Sequence, residues 1–157
     1  MTTPHATLGT LLRTLIDQLD SAVADAYTES GLDYKPRFTP IIRALSQHGP
    51  SRIKDIADGM GVSHSAVSQT LSALVRAKWV KLLPGEDSRE RIVHLTPYAK
   101  ARLPLLEQHW ATTAKAAASL NEDLGISLED VLRNALKALQ DQSFGERIRK
   151  AGKLRSA

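Results

Sequence analysis

Between residues 51 and 95 the hydrophobic period of this chain changes, and few folds accommodate the change. From residue 53 to residue 75 apolar side chains recur at steps of three and four, whereas from residue 80 to residue 95 they alternate in two short runs. Gly59-Met60-Gly61-Val62 interrupts the helical part. The pattern predicts a short helix capped by Ser51, with Ile53, Ile56 and Ala57 inward, then a tight turn that Gly61 permits and Val62 plugs. A second helix capped by Ser63 follows. Ala66, Val67, Thr70, Leu71, Leu74 and Val75 share one of its faces, with Ala66 small enough for the helices to approach. The opposite face is His64, Ser65, Ser68, Gln69 and Ser72, polar and uncharged. Strands at 80–83 and 92–95 then enclose a polar tip at 84–91.

Helical stripes flank this region. Leu11, Leu12, Leu15, Ile16, Leu19, Ala22, Val23, Ala26 and Tyr27 line a first helix that Gly31 ends. After a connector at 32–38, Thr39-Pro40 caps and opens a helix with Ile41, Ile42 and Leu45 buried. Thr96-Pro97 repeats that signal at the start of a long helix, where Pro104 implies a kink or a late start. Past a turn at 121–126, Ser127 caps a last long helix striped by Leu128, Val131, Leu132, Ala135, Leu136 and Leu139. Phe144 and Ile148 add a turn or two before a basic tail. The expected fold is mainly α with a small two-stranded β wing. A winged helix-turn-helix lobe at 32–96 is flanked by N- and C-terminal dimerisation helices, 8–31 and 97–150, in a single domain spanning 1–157. The flanking stripes carry more Leu and Ala than the lobe can cover, so a homodimer about a two-fold axis is expected.

Two capped helices joined by a Gly turn form a helix-turn-helix, in which the second helix hides one face and offers the other to the DNA major groove. Ser63, His64, Ser65, Ser68 and Gln69 can hydrogen-bond base edges or phosphates without a fixed charge. Net charge is +4, and residues 51–102 hold the excess, with nine basic and five acidic side chains. Arg76, Lys78 and Lys81 follow the recognition face, and Arg89 and Arg91 sit at the hairpin tip, with Asp87 close enough to hold one guanidinium. Arginine in a narrow minor groove is favoured by the negative potential concentrated there.

Other chemistries find no support. With no cysteine there is no disulfide, thiolate metal site or cysteine redox sensor. His5, His48, His64, His94 and His109 show no i,i+4 pair, so no metal is expected. Glu122-Asp123 and Glu129-Asp130 read as helix-start electrostatics. The sequence holds no Gly-x-Ser-x-Gly elbow and no Gly-rich phosphate loop, so neither an enzyme nor a cofactor is expected. No apolar run approaches the ~18 residues of a membrane span, and no secretion signal opens the chain; a cytoplasmic location is expected.

The run Ile53-x-x-Ile56-Ala57-x-x-Met60-Gly61-Val62-x-x-x-Ala66-Val67-Ser68-x-x-Leu71-x-x-Leu74 resembles the helix-turn-helix of the MarR (multiple antibiotic resistance regulator) family. Asp87-x-Arg89 followed by Val93-x-Leu95-Thr96 resembles that family's wing. The resemblance implies a homodimer held by the terminal helices and a pseudo-palindromic operator. It also implies that Arg89 reaches the minor groove while Asp87 orients it. Two positions depart from the pattern. Lys78 stands where many relatives have a helix-ending Gly, and Leu82 replaces a frequent Arg of the first wing strand.

The expected function is therefore a transcriptional regulator, a repressor, acting on double-stranded DNA. Regulators of this type often take small aromatic or anionic effectors, and Tyr34, Arg37, Phe38, Trp79 and Trp110 are the candidate lining, although with so few aromatics plain core packing is the favoured role for most of them. The competing function is a winged-helix protein-interaction module that has lost DNA binding. Leu82 and the uncharged recognition face favour it; Arg89 with Asp87 opposes it.

Overall fold

The computed structural model describes residues 6–154; His5 and the end of the basic tail lie outside them. Contacts divide the chain into two compact units, residues 1–110 and 111–157.

The first unit opens with α1 (Leu8–Glu29), capped by Thr7 and ended by Gly31 in the left-handed conformation at φ 72°. A 3-10 turn (Pro36–Phe38) sits inside the expected connector and leads directly into α2 (Thr39–His48). Thr39 is thus not an N-cap. Its hydroxyl accepts a hydrogen bond from the Tyr34 hydroxyl at 3.1 Å instead. α3 (Ile53–Met60) and α4 (His64–Arg76) form the helix-turn-helix. The sheet has one strand more than expected: β1 (Ser51–Arg52) pairs with β3 (Arg91–Leu95), which pairs with β2 (Val80–Pro84), all antiparallel. Ser51 is a sheet residue here rather than a helix cap, because Ser51 and Arg52 stay extended and register with Val93 and Ile92.

Every buried side chain among the described residues lies between Tyr27 and Leu106. Ile41, Ile42 and Leu45 from α2, Val67, Leu71 and Leu74 from α4, Trp79 from the turn after α4, and Val80 and Val93 from the sheet meet in one core. α5 (Pro97–Leu124) starts at its cap and runs through Pro104 without a late start.

In the second unit, Gly125 at φ 69° ends α5, and Ser127 caps α6 (Leu128–Asp141) by accepting the Asp130 N–H. Asn121 clips this turn. Its Oδ1 accepts the Leu128 N–H at 2.9 Å, and its Nδ2 donates to Glu129 at 2.8 Å. That amide, first among the causes, holds the Glu129 carboxyl below the usual carboxylate range. α7 (Phe144–Leu154) is longer than the turn or two expected. Ser143 and Glu146 form a reciprocal capping box, each side chain accepting the other's N–H. No helix among the described residues is long and apolar enough to cross a membrane.

Candidate nucleic-acid interface

The turn between α3 and α4 depends on Gly61, which sits at φ 63°. The Gly61 N–H bonds to Asp58 O and the Val62 N–H to Ala57 O, closing the end of α3 with a Schellman motif. Val62 does not plug this turn. It is 43% exposed, because the left-handed step carries the chain away from the core before Val62. Ser63 then caps α4 by accepting the Ala66 N–H at 3.2 Å, so its hydroxyl has a structural task before any contact with DNA.

The burial of α4 is one-sided. Val67, Leu71, Ala73 and Leu74 are buried, while His64, Ser65, Ser68, Gln69, Ser72 and Arg76 are exposed. Ala66 and Val75 are exposed as well, so the buried stripe is narrower than expected and Ala73 belongs to it. The face left outside carries hydroxyls, an amide and an imidazole at successive turns, the donor and acceptor types that match base edges.

α4 ends in a second Schellman motif: Lys78 N–H bonds to Val75 O and Trp79 N–H to Leu74 O. Lys78 takes the position that usually holds Gly and has φ 65°, the only positive value outside glycine among the described residues. The missing glycine therefore changes nothing in how the turn closes. Thr96 fastens the junction, its hydroxyl donating to Lys78 O at 2.6 Å and accepting the Ala99 N–H at the start of α5.

β2 and β3 carry the wing. Lys81 faces away from the core, opposite His94, and Leu82 and Leu83 are each 39% exposed. At the tip, Asp87 Oδ1 accepts the backbone N–H of Arg89 at 3.1 Å. Asp87 was expected to hold a guanidinium; it shapes the loop backbone instead, and no ion pair joins it to Arg89 among the described residues. Glu90 pairs with Arg52 of β1 at 3.2 Å, tying the loop end of the wing to β1. No local sequence signal marks that pair, because it depends on β1 registering with β3 about forty residues away. Arg89 and Arg91 are exposed.

The five aromatic-pocket candidates separate. Tyr34, Phe38 and Trp79 are core side chains, with Tyr34 centred 4.9 Å from Trp79 and 5.6 Å from Phe38 in edge contacts. The Trp79 indole donates to Asp33 O at 2.7 Å. Burial, the leading cause, pushes the Tyr34 phenol above its ordinary range. Arg37 is exposed. Trp110 is half-buried beneath the Arg43 guanidinium, which lies 4.7 Å from its ring. A cleft of about 660 Å³ between α2 and α3, lined by Arg43, Gln47, Asp55 and Met60 among others, includes none of the five. No group of three or more metal-ligating side chains occurs among the described residues.

Residues 33–90 match the model of the MarR family. No curated protein matches the chain in sequence. Among solved structures, the chain is similar to the Mycobacterium tuberculosis transcriptional regulator MOSR in complex with DNA: 21% identity, 87% of this chain and 96% of that one, TM-score 0.67. It is also similar to a probable transcriptional regulator from Pseudomonas aeruginosa, at 17% identity over 85% and 96% of the two chains, TM-score 0.62. NadR in complex with 4-hydroxyphenylacetate aligns at 21% identity over 88% and 96%, TM-score 0.55. These likenesses establish a winged helix-turn-helix fold.

Proposed function

We propose that this protein, whose residues 33–90 are a MarR-family segment, is a DNA-binding transcriptional regulator that acts as a homodimer on a pseudo-palindromic operator. One observation carries the reading: α4 buries its apolar face and exposes His64, Ser65, Ser68 and Gln69 beside a hairpin that ends in exposed Arg89 and Arg91. Those polar side chains read bases in the major groove. Arg76, Lys78, Lys81, Arg89 and Arg91 supply the phosphate term, and Arg89 enters the minor groove. Asp87 contributes by fixing the loop from which Arg89 projects. MOSR in its complex with DNA supports this assignment as a relative of the same fold.

The homodimer rests on apolar surface that this chain leaves open. Leu11, Leu12, Ile16 and Leu19 of α1 are exposed, as are Val131, Leu132, Leu136 and Leu139 of α6. A second copy would cover such stripes. Repression is the simplest consequence of a dimer sitting on an operator, and a small aromatic or anionic effector would release it. NadR binds 4-hydroxyphenylacetate, and the Arg43 guanidinium over Trp110 offers this chain a cation and a ring for such a ligand.

The competing reading, a protein-interaction module, is favoured by the half-exposed Leu82 and Leu83 on the wing. Selection of bound genomic fragments by the purified protein tests the proposal. Recovery of a shared inverted repeat supports it. Recovery of no sequence above background, together with no retention on heparin at moderate salt, leaves the interaction module.

A further inference from the structure

Three helices of the first unit end in the same way. At Gly31, Gly61 and Lys78, the residue that turns the chain out of the helix has a positive φ (72°, 63° and 65°) and donates to the carbonyl three residues back. The next N–H reaches five residues back: Leu32 to Tyr27, Val62 to Ala57, and Trp79 to Leu74. Two of these ends use the residue that adopts this conformation without strain. The third uses lysine, whose Cβ crowds the following carbonyl there.

Lys78 cannot relax out of the conformation. Its carbonyl is held by the Thr96 hydroxyl at 2.6 Å. Its successor, Trp79, is fully buried, with its indole tied to Asp33. The Lys78 side chain gives nothing back to the fold. It is exposed, and no acidic group pairs with it among the described ion pairs. An ammonium near a helix C-terminus gains only a weak, salt-screened interaction. Strain kept at one position while two equivalent ones avoid it points to a task for the side chain. The position suits such a task, between Arg76 at the end of α4 and Lys81 at the start of the wing.

We infer that Lys78 is a phosphate-positioning residue held at the expense of fold stability: the left-handed step at the end of α4 aims its ammonium at the DNA backbone. The inference rests on the DNA-binding reading above. It specifies that this lysine, unlike the other cations, opposes stability and affinity to one another.

The test measures thermal unfolding, and binding to a mixed-sequence duplex across a salt series, for the wild type and Lys78→Gly, Lys78→Asn and Lys78→Arg. A mixed sequence suffices because the phosphate term is independent of sequence. Lys78→Gly should raise Tm by about 2 °C. The same variant should lose about tenfold in affinity, with a salt slope shallower by about one per chain. Lys78→Asn, which tolerates the conformation but lacks the charge, should bind as weakly as the glycine variant. Lys78→Arg should keep wild-type affinity and slope. A glycine variant that is less stable than the wild type overturns the inference, and so does one that binds DNA equally well with the same slope. A wild-type protein that binds no duplex overturns the DNA-binding reading itself, an outcome distinct from the other two.

Discussion

α2 and α6 are both two-faced helices, but they end up in opposite circumstances. In α2, Ile41, Ile42 and Leu45 are at most 2% exposed, covered within the first unit by β3, α3 and the 3-10 turn that precedes α2. In α6, Val131, Leu132, Leu136 and Leu139 form an equally regular stripe, and each is at least 40% exposed; among the described residues beyond 110 no side chain is buried. The sequence pattern is the same in kind, so periodicity reports that a face must be covered without reporting what covers it. The difference divides the labour. The unit up to Trp110 holds a closed core and exposes polar and basic side chains along α4 and the wing. The unit beyond it exposes apolar surface, which a second copy is proposed to cover.

The comparison breaks most readily at its closed end. Trp79 is fully buried among Tyr34, Tyr98 and the sheet, so Trp79→Ala should destabilise the protein by about 3–5 kcal/mol in chemical denaturation. An unchanged midpoint would show that this core is not what holds the first unit. At the open end, Leu132→Lys combined with Leu136→Lys should leave the circular dichroism of the helices in place. It should weaken self-association by on the order of a hundredfold in sedimentation equilibrium, about 3 kcal/mol, because two charges would have to enter an apolar interface. A pair of lysines that leaves the oligomer intact would place the interface elsewhere. On the polar side, Arg89→Ala should cost about 1–3 kcal/mol in operator affinity with no change in Tm. Asp87→Ala should cost less, since it acts through the loop backbone. The smallest effect belongs to the second unit's turn. Asn121→Ala should let the Glu129 carboxyl titrate closer to its ordinary range, measurable by NMR. Because the folded-state value is depressed, the associated stabilisation is present at neutral pH and is lost as the pH falls through that value. No shift on removing Asn121 would show that another group holds the carboxylate down.

Much of this architecture is legible in the sequence. The change of period marked the step from α4 to the wing, and Gly31, Gly61 and Ser127 marked helix boundaries, because each acts through local backbone geometry. What escaped were features set by tertiary contact. Ser51 and Arg52 pair with β3, forty residues away in sequence, and a local reading turned the serine into a cap. Tyr34 and Trp79 could have lined a pocket, but the scarcity of aromatics favoured core packing for most of the candidates, and both are core residues. The capping box at Ser143 and Glu146 could have been found from its three-residue spacing, which would have predicted the full length of α7. On α4, the outward polar face was legible and the inward one was drawn too wide, since Ala66 and Val75 lie at its margins.

The open apolar faces are proposed to pair two copies so that two α4 helices meet one duplex. Sedimentation velocity on the protein alone and with an operator selected from genomic fragments measures both halves together. A species of twice the 17.1 kDa chain mass is expected without DNA, and two chains on each duplex with it. A single 17.1 kDa species at micromolar concentration, or one chain per duplex, would contradict that pairing.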